Sequence, residues 1–292
     1  MANVAFLGTG LIGAGMIEAQ RRRGHQVSVW NRTATKARAL ESFGVRVATA
    51  ADEAVRGAER VHLALTDDAA VDAVLALCAP AIDAATIVVD HTTASPQRTA
   101  ERFARCDRDG LAYLHAPVFM SPQACRDARG MMLCAGPRDR FALVTAALEE
   151  MTGEVWYVGE RTDLAASYKL FGNAMLIAIT AGLADVFALA RSLAIAPADA
   201  HALFSRFNPA GVIGLRGAKM VAGEFEASFE MTMARKDLRL MLEVASAGGQ
   251  QLAALPAIAQ RMDALIAKGH GGDDMAALAI EAISGASSRG GS

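Results

Sequence analysis

Through the first half of the chain, short apolar runs alternate with stretches of helical spacing. NVAFLG, QVSVWN, RVHLAL and TIVVDHT each read as a strand, because four to six apolar or β-branched residues end at a polar or glycine position. LAYLHAPV, MMLCAG and EVWYVG follow in the same manner. Between them, IGAGMIEAQRRRG and TATKARALESFG carry apolar residues at helical spacing, and Gly24 and Gly44 stand where a helix C-cap is expected. Strand, helix, strand at this spacing predicts right-handed crossovers and an α/β fold with a parallel, doubly wound sheet. After Gly159 the strand signals stop. The rest is rich in Ala, Leu and Met at helical periodicity, broken by APAD, FNPAG, AGGQ and KGHGGDD. A boundary near residues 160–163 is expected, with one domain over 1–162 and an all-helical one over 163–292, joined by a long helix. The closing SGASSRGGS reads as a flexible tail.

Composition narrows the function. The chain has 292 residues, 53% hydrophobic and 21% charged, enough to bury a large core. A formal charge of −2 gives no footprint for nucleic acid or an anionic membrane. The apolar run AMLIAITAGLADVFALA is the one membrane-span candidate. Asp185 interrupts it and Arg191 ends it, so a buried helix of a soluble protein is expected. NVAFLG opens the chain without a leader-like segment, so a cytoplasmic protein is expected. Four cysteines without CxxC spacing read as free thiols, and six histidines without HxxxH spacing give no support for a metal.

The chemistry concentrates in a few places. FLGTGLIGAGM carries Gly8-x-Gly10-x-x-Gly13 between a strand and a helix, the context of a dinucleotide-binding Rossmann turn. Gly8 permits the turn, Gly10 lets backbone approach a pyrophosphate, and Gly13 lets the helix lie close to the strand. The helix start around Leu11 and Ile12 offers N–H groups to phosphate. The second strand ends in Asn31, Arg32 and Thr33 with Lys36 a turn on, where an NAD site usually has a carboxylate. A guanidinium there suits a 2′-phosphate, so NADP(H) is expected to be preferred, with NAD(H) possible. SYKLFGNAM places Lys169 at the start of the most apolar helix, with Asn173 one turn on. Either Lys169 is a helix-end lysine with its head in water, or it is a buried ammonium put to use.

With these stretches the chain resembles the β-hydroxyacid dehydrogenase family, whose relatives include 6-phosphogluconate dehydrogenase and the imine reductases. FLGTGLIGAGM, LALTDD (63–68), DHTTASP (90–96), the Lys169–Asn173 pair and ARKDLRLMLE (234–243) carry the resemblance, and HAPV (115–118) resembles the start of a substrate-binding signature. It implies that Leu65, Thr66 and Thr93 touch the cofactor, that Lys169 is the catalytic lysine and Asn173 the amide that orients it, and that Lys236 lies near cofactor and substrate. It implies hydride exchange between nicotinamide and a small carbonyl or alcohol, and a homodimer or homotetramer. The substrate loop departs from the pattern: where members read Ser-Gly-Gly, this chain reads Phe119, Met120 and Ser121, followed by Pro122. Two bulky positions and a missing N–H make close carboxylate binding hard to keep, so the usual short 3-hydroxy acid is not expected. An imine reductase and a non-catalytic NADPH-binding sensor or scaffold remain open.

Overall fold

Strand β1 (Asn3–Leu7) runs at the centre of the first half, paired in parallel with β2 (Gln26–Trp30) on one side and β4 (Arg60–Leu63) on the other. The computed structural model describes residues 1–284; the predicted tail SGASSRGGS lies outside them, apart from its first residue, Ser284. β3 (Arg46–Val47), β5 (Ile87–Asp90) and β6 (Ala112–His115) extend the parallel sheet in the order β3-β2-β1-β4-β5-β6. That is the order of a dinucleotide-binding sheet, with the strand sequence reversing beside β1. Helices α1 (Leu11–Arg22), α2 (Ala34–Arg38), α3 (Ala51–Val55), α4 (Asp68–Cys78) and α5 (Pro96–Arg108) connect these strands.

The far side of the sheet departs from an all-parallel arrangement. β7 (Val118–Phe119) and β8 (Gly130–Ala135) pair antiparallel, as do β6 and β8, while β9 (Gly153–Gly159) returns parallel to β8. LAYLHAPV is therefore two strands rather than one. Pro117 separates them, since proline has no N–H for a ladder. Helices α6 (Pro122–Asp127) and α7 (Arg138–Thr152) fill the connections. The predicted helix over TATKARALESFG is also shorter than expected. α2 stops at Arg38, a 3₁₀ turn covers Glu41–Phe43, and Gly44 takes a left-handed φ of 77°. This early stop frees Arg46 and Val47 to pair with Ser28 and Val29 as β3, an element too short to show periodicity.

Two apolar clusters sandwich the sheet. One contains Phe6, Val29, Val89, Leu114 and Met132; the other contains Leu7, Leu63, Val88, Phe103 and Tyr113. The four cysteines are free and buried. Burial pushes Cys78, Cys106 and Cys125 up to about 11 and Cys134 up to about 12, so they remain neutral thiols.

Helix α8 (Leu164–Ser192) is the long helix predicted from sequence. The two compact units meet within it: one spans Met1–Asn173 and the other begins at Ala174, later than the expected boundary at 162. The first turn of α8 belongs to the N-terminal unit because Ala165 and Ala166 are fully buried, with Ala165 packed on Leu133 and Ala135 of β8. The helix is long and apolar enough to cross a membrane. Only 11% of its most apolar 18-residue window is buried, so the expectation of a buried helix fails within this chain. The reason lies in the apolar residues around its circumference: one chain covers only part of them.

The second unit contains α9 (Pro197–Ala202), α10 (Gly211–Ala222), α11 (Met231–Ala247), α12 (Leu255–Ala267) and α13 (Ile280–Ile283), and no strand is assigned in it among the described residues. Met231, Leu238, Met262 and Leu265 form its core. Asp185, nearly buried on α8, accepts bonds from the backbone N–H groups of Ala253, Ala254 and Leu255. The charge that interrupts the apolar run thus caps the start of α12. Asp274 is fully buried and accepts bonds from Ser228, Phe229 and Ala276, with Arg216 3.3 Å away. Burial opposes its charge, and these donors outweigh burial to hold the carboxyl well below the usual range.

Candidate active site

The turn after β1 owes its shape to its glycines. Gly8 has a φ of 105°, and a Cβ there would strike the carbonyl oxygen of Ala64. At Gly13 a Cβ would strike the carbonyl of Gly8, so α1 can lie against β1 only without one. Around Gly10 there is open space, leaving the backbone accessible to a ligand. Asn31 braces the turn from the end of β2. Its Oδ1 accepts from the Thr9 N–H at 3.1 Å and its Nδ2 donates to the Thr33 carbonyl at 3.0 Å.

This turn forms one wall of a cavity of about 670 Å³ at the C-terminal ends of the strands. Gly8, Gly10, Leu11, Ile12 and Gly13 line it, as do Asn31, Arg32, Thr33 and Lys36 from the end of β2 onward. Leu65 and Thr66 reach it from the loop after β4, and Thr93 from the loop after β5. Lys169 reaches it from the first turns of α8. Arg32 and Lys36 make no ion pair among the described residues; the nearest pairs in sequence are His25–Glu150 and Arg46–Glu53. The charged side chains lining the cavity are Arg32, Lys36 and Lys169; the carboxylate of Asp67, next to Thr66, feels the charge of Arg32 but does not line the cavity. The arrangement fits a dinucleotide: open backbone and a helix N-terminus for the pyrophosphate, and unpaired cations for a further phosphate.

Sequence reasoning missed the rest of the lining. Ala70, Ala73, Val74 and Leu77 present an apolar side of α4 suited to a planar base, and nothing in the sequence sets them apart from an ordinary helix stripe. Trp30, Ala64, Val118, His91 and Thr92 also contribute. The last two stand beside Thr93 in DHTTASP, so the right segment is found from sequence but its inner residues are not. Thr92 Oγ1 accepts from the Leu65 N–H at 3.1 Å and ties the two cavity loops together.

A buried polar network fixes those loops. Asp90 is fully buried and accepts from the Thr92 N–H at 2.9 Å and the Tyr113 hydroxyl at 2.6 Å. Arg102, also fully buried, pairs with Asp68 and Asp72 at the start of α4, and Asp68 accepts from the Ser95 N–H. His91 donates Nδ1–H to the Ala116 carbonyl at 2.7 Å, which leaves its Nε2 to accept from His62 Nδ1 at 3.0 Å. Burial lowers the pKa of His62, His91 and His115, well below the imidazole range for His62, and keeps the three rings neutral.

Lys169 is 9% exposed, and burial lowers its pKa. Its Nζ lies 4.0 Å from the centroid of the Phe119 ring and makes no hydrogen bond or ion pair among the described residues. The expected bond to Asn173 is therefore absent. Nζ turns instead toward the ring that β7 brings beneath α8. The substrate loop also differs from expectation. Met120 lines the cavity, whereas Phe119 packs beneath α8 with Ala165 and Leu164. Ser121 is spent as the N-cap of α6, its hydroxyl accepting from the Ala124 N–H at 3.1 Å. Lys236 lies on α11 of the second unit and pairs with its neighbour Asp237 at 2.9 Å.

Residues 3–159 match the family described as the NAD binding domain of 6-phosphogluconate dehydrogenase. The chain belongs to the β-hydroxyacid dehydrogenase family of NAD(P)-dependent oxidoreductases. It is 25% identical to glyoxylate/succinic semialdehyde reductase 2 of Arabidopsis thaliana, over 98% of this chain and 81% of that protein. It is 26% identical to cytokine-like nuclear factor N-PAC of Anopheles gambiae over 95% of this chain, and it spans about half of that longer protein. Among solved structures, an imine reductase of Streptomyces aurantiacus superposes with a TM-score of 0.88 at 25% identity, covering 96% of this chain and 99% of that one. A reductive aminase from Aspergillus terreus in complex with NADPH gives a TM-score of 0.88 at 22% identity, covering 95% and 98%, and shares the fold. The family fold thus serves several chemistries, and the residues around Lys169 have to discriminate among them.

Proposed function

We propose that the chain is an NADPH-dependent reductase of aldehydes or ketones, working in reverse on the corresponding alcohols, with Lys169 as the general acid and base. The observation that carries this reading is a cavity lined by the charged groups of Arg32, Lys36 and Lys169, with no carboxylate in the lining. Arg32 and Lys36 would hold a 2′-phosphate, and Gly10 with the start of α1 the pyrophosphate. When bound, the nicotinamide supplies or accepts the hydride. Lys169 Nζ stabilises the negative charge that grows on the carbonyl oxygen and delivers a proton to it; as the neutral amine it takes that proton back. Burial lowers the pKa of the lysine, which eases release of its proton.

The structural neighbours favour imine reduction as a second reading. Two features of this chain weigh against it. Iminium substrates are cationic and meet an ammonium at Lys169. Tyr168, the other proton donor in the segment, packs edge-on against Trp156 at 5.3 Å instead of lining the cavity. The substrate we propose is an uncharged carbonyl compound, because Phe119 and Ser121 are engaged in packing and capping and Met120 is apolar. We also propose a homodimer or homotetramer, joined through the apolar faces left exposed from Ala174 onward. NADPH consumption measured with a panel of aldehydes, ketones, oxo acids and cyclic imines tests the reading. Turnover of uncharged carbonyls ahead of oxo acids and imines is expected, and turnover of imines alone overturns it.

A further inference from the structure

Lys169 faces a physical difficulty that the reaction does not explain. An ammonium so far removed from water, with no carboxylate or hydrogen-bond acceptor, has only one compensating contact within the N-terminal unit. That contact is the face of the Phe119 ring, 4.0 Å from Nζ. The ring is itself held. Gly172 sits three residues after Lys169 on the same face of α8, and a Cβ there would run into the Phe119 ring. Phe119 is further packed against Leu133, Ala135 and Ala165 at the foot of the helix. The ring is thus seated between the β7–β8 edge and one face of α8, with the missing side chain at Gly172 making room for it.

From this arrangement we infer that Phe119 is the positioning residue of Lys169, with Gly172 as its seat: the ring face takes the part expected of the Asn173 amide, and it holds the ammonium at the cavity wall. The inference rests on Lys169 acting as the proton donor only for its effect on rate; the ring–ammonium contact stands apart from that. The remaining charged or titratable groups on the cavity wall are Arg32, Lys36 and the neutral His91, so no anion competes with the ring for Nζ. A π-face favours the charged form, which opposes the effect of burial. Loss of the ring therefore makes Lys169 titrate lower and sit less firmly.

Competitive acetylation of the intact protein across pH, read by peptide mass spectrometry, reports the titration of Lys169 without a substrate. Phe119→Leu keeps apolar bulk and removes the π-face. It is expected to move the Lys169 titration further down and to lower kcat roughly 10-fold, as fits the loss of a partly desolvated cation–π contact. The basic limb of the kcat profile moves down in step, and NADPH affinity is retained. Phe119→Tyr restores both titration and rate. Gly172→Ala, which displaces the ring, reproduces the Leu phenotype. The double variant is no worse than Gly172→Ala alone, because both act through one contact. If Phe119→Leu does not fold, Gly172→Ala carries the same expectation. An unchanged or raised Lys169 titration in these variants overturns the inference. Wild-type turnover in Lys169→Met would instead remove the catalytic reading and leave the titration to decide the contact.

Discussion

In the unit Met1–Asn173, Phe6, Leu7, Leu63 and Leu114 lose all contact with solvent between the sheet and its helices. From Ala174 onward the chain treats residues of the same kind differently. Ile177 is 70% exposed and Val221 89%, and Leu176, Phe207 and Leu215 are more than half exposed. The first unit closes its own core. The second has a small core around Met231, Leu238 and Leu265 and leaves many of its large apolar side chains exposed. Apolar periodicity states that a helix face seeks burial; it does not state whether the covering surface lies in the same chain.

The largest expected effect sharpens the role of the junction helix. Lys169→Met should lower kcat by roughly 10²–10⁴-fold, the range for a positioned acid or base, while leaving NADPH affinity intact in a fluorescence titration. Next comes the contrast between the two units. Phe6→Ala, which also removes the ring stacked on His62 at 4.7 Å, should cost about 3–5 kcal/mol of stability, with a Tm loss that does not depend on protein concentration. Ile177→Asp should instead shift the mass in light scattering to that of a monomer, and its Tm loss should vary with protein concentration. If Ile177→Asp behaves like Phe6→Ala, the two units do not differ as argued.

Two expected effects are smaller. Arg32→Asp should weaken NADPH binding by about 1.5–3 kcal/mol and NADH binding far less, measured by titration with each cofactor. Equal losses would remove Arg32 from the 2′-phosphate. The mildest test is pH. His62, His91 and His115 have folded pKa values below the ordinary 6.5, chiefly through burial. The unfolded chain therefore binds more protons as pH falls through that value, so their stabilising contribution is complete above about 6.5 and declines below it. Urea midpoints should fall between pH 7 and pH 5, and His62→Phe should flatten the slope.

Much of the site was legible before the fold was known, because its parts are contiguous in sequence. The Gly8 turn, Asn31 to Lys36, Leu65 to Thr66 and Thr93 each follow a strand, and a doubly wound sheet gathers strand ends at one edge. Gly8 and Gly13 were readable because a Cβ at either would strike backbone, and Gly10 because a ligand has to approach the chain there. The antiparallel β7–β8 edge was not legible, since Val118 and Phe119 are too few to show a period and Pro117 marks a break without fixing the direction of the next strand. The α4 wall was not legible either, because Val74 and Leu77 look like any helix stripe until the cavity is seen beside them.

By itself the sequence determined the strand–helix alternation, the dinucleotide turn, the cationic end of β2 and the lysine at the start of α8. All of these are local, set by backbone geometry and by charge over a few residues. Only the tertiary structure decided what faces Lys169. The expected partner was Asn173, four residues along one helix; the observed one is Phe119, fifty residues earlier, brought there by β7 and seated on Gly172. A side chain's partner is chosen by the direction in which it leaves its helix and by which strand lies beneath, and both are properties of packing rather than of spacing along the chain.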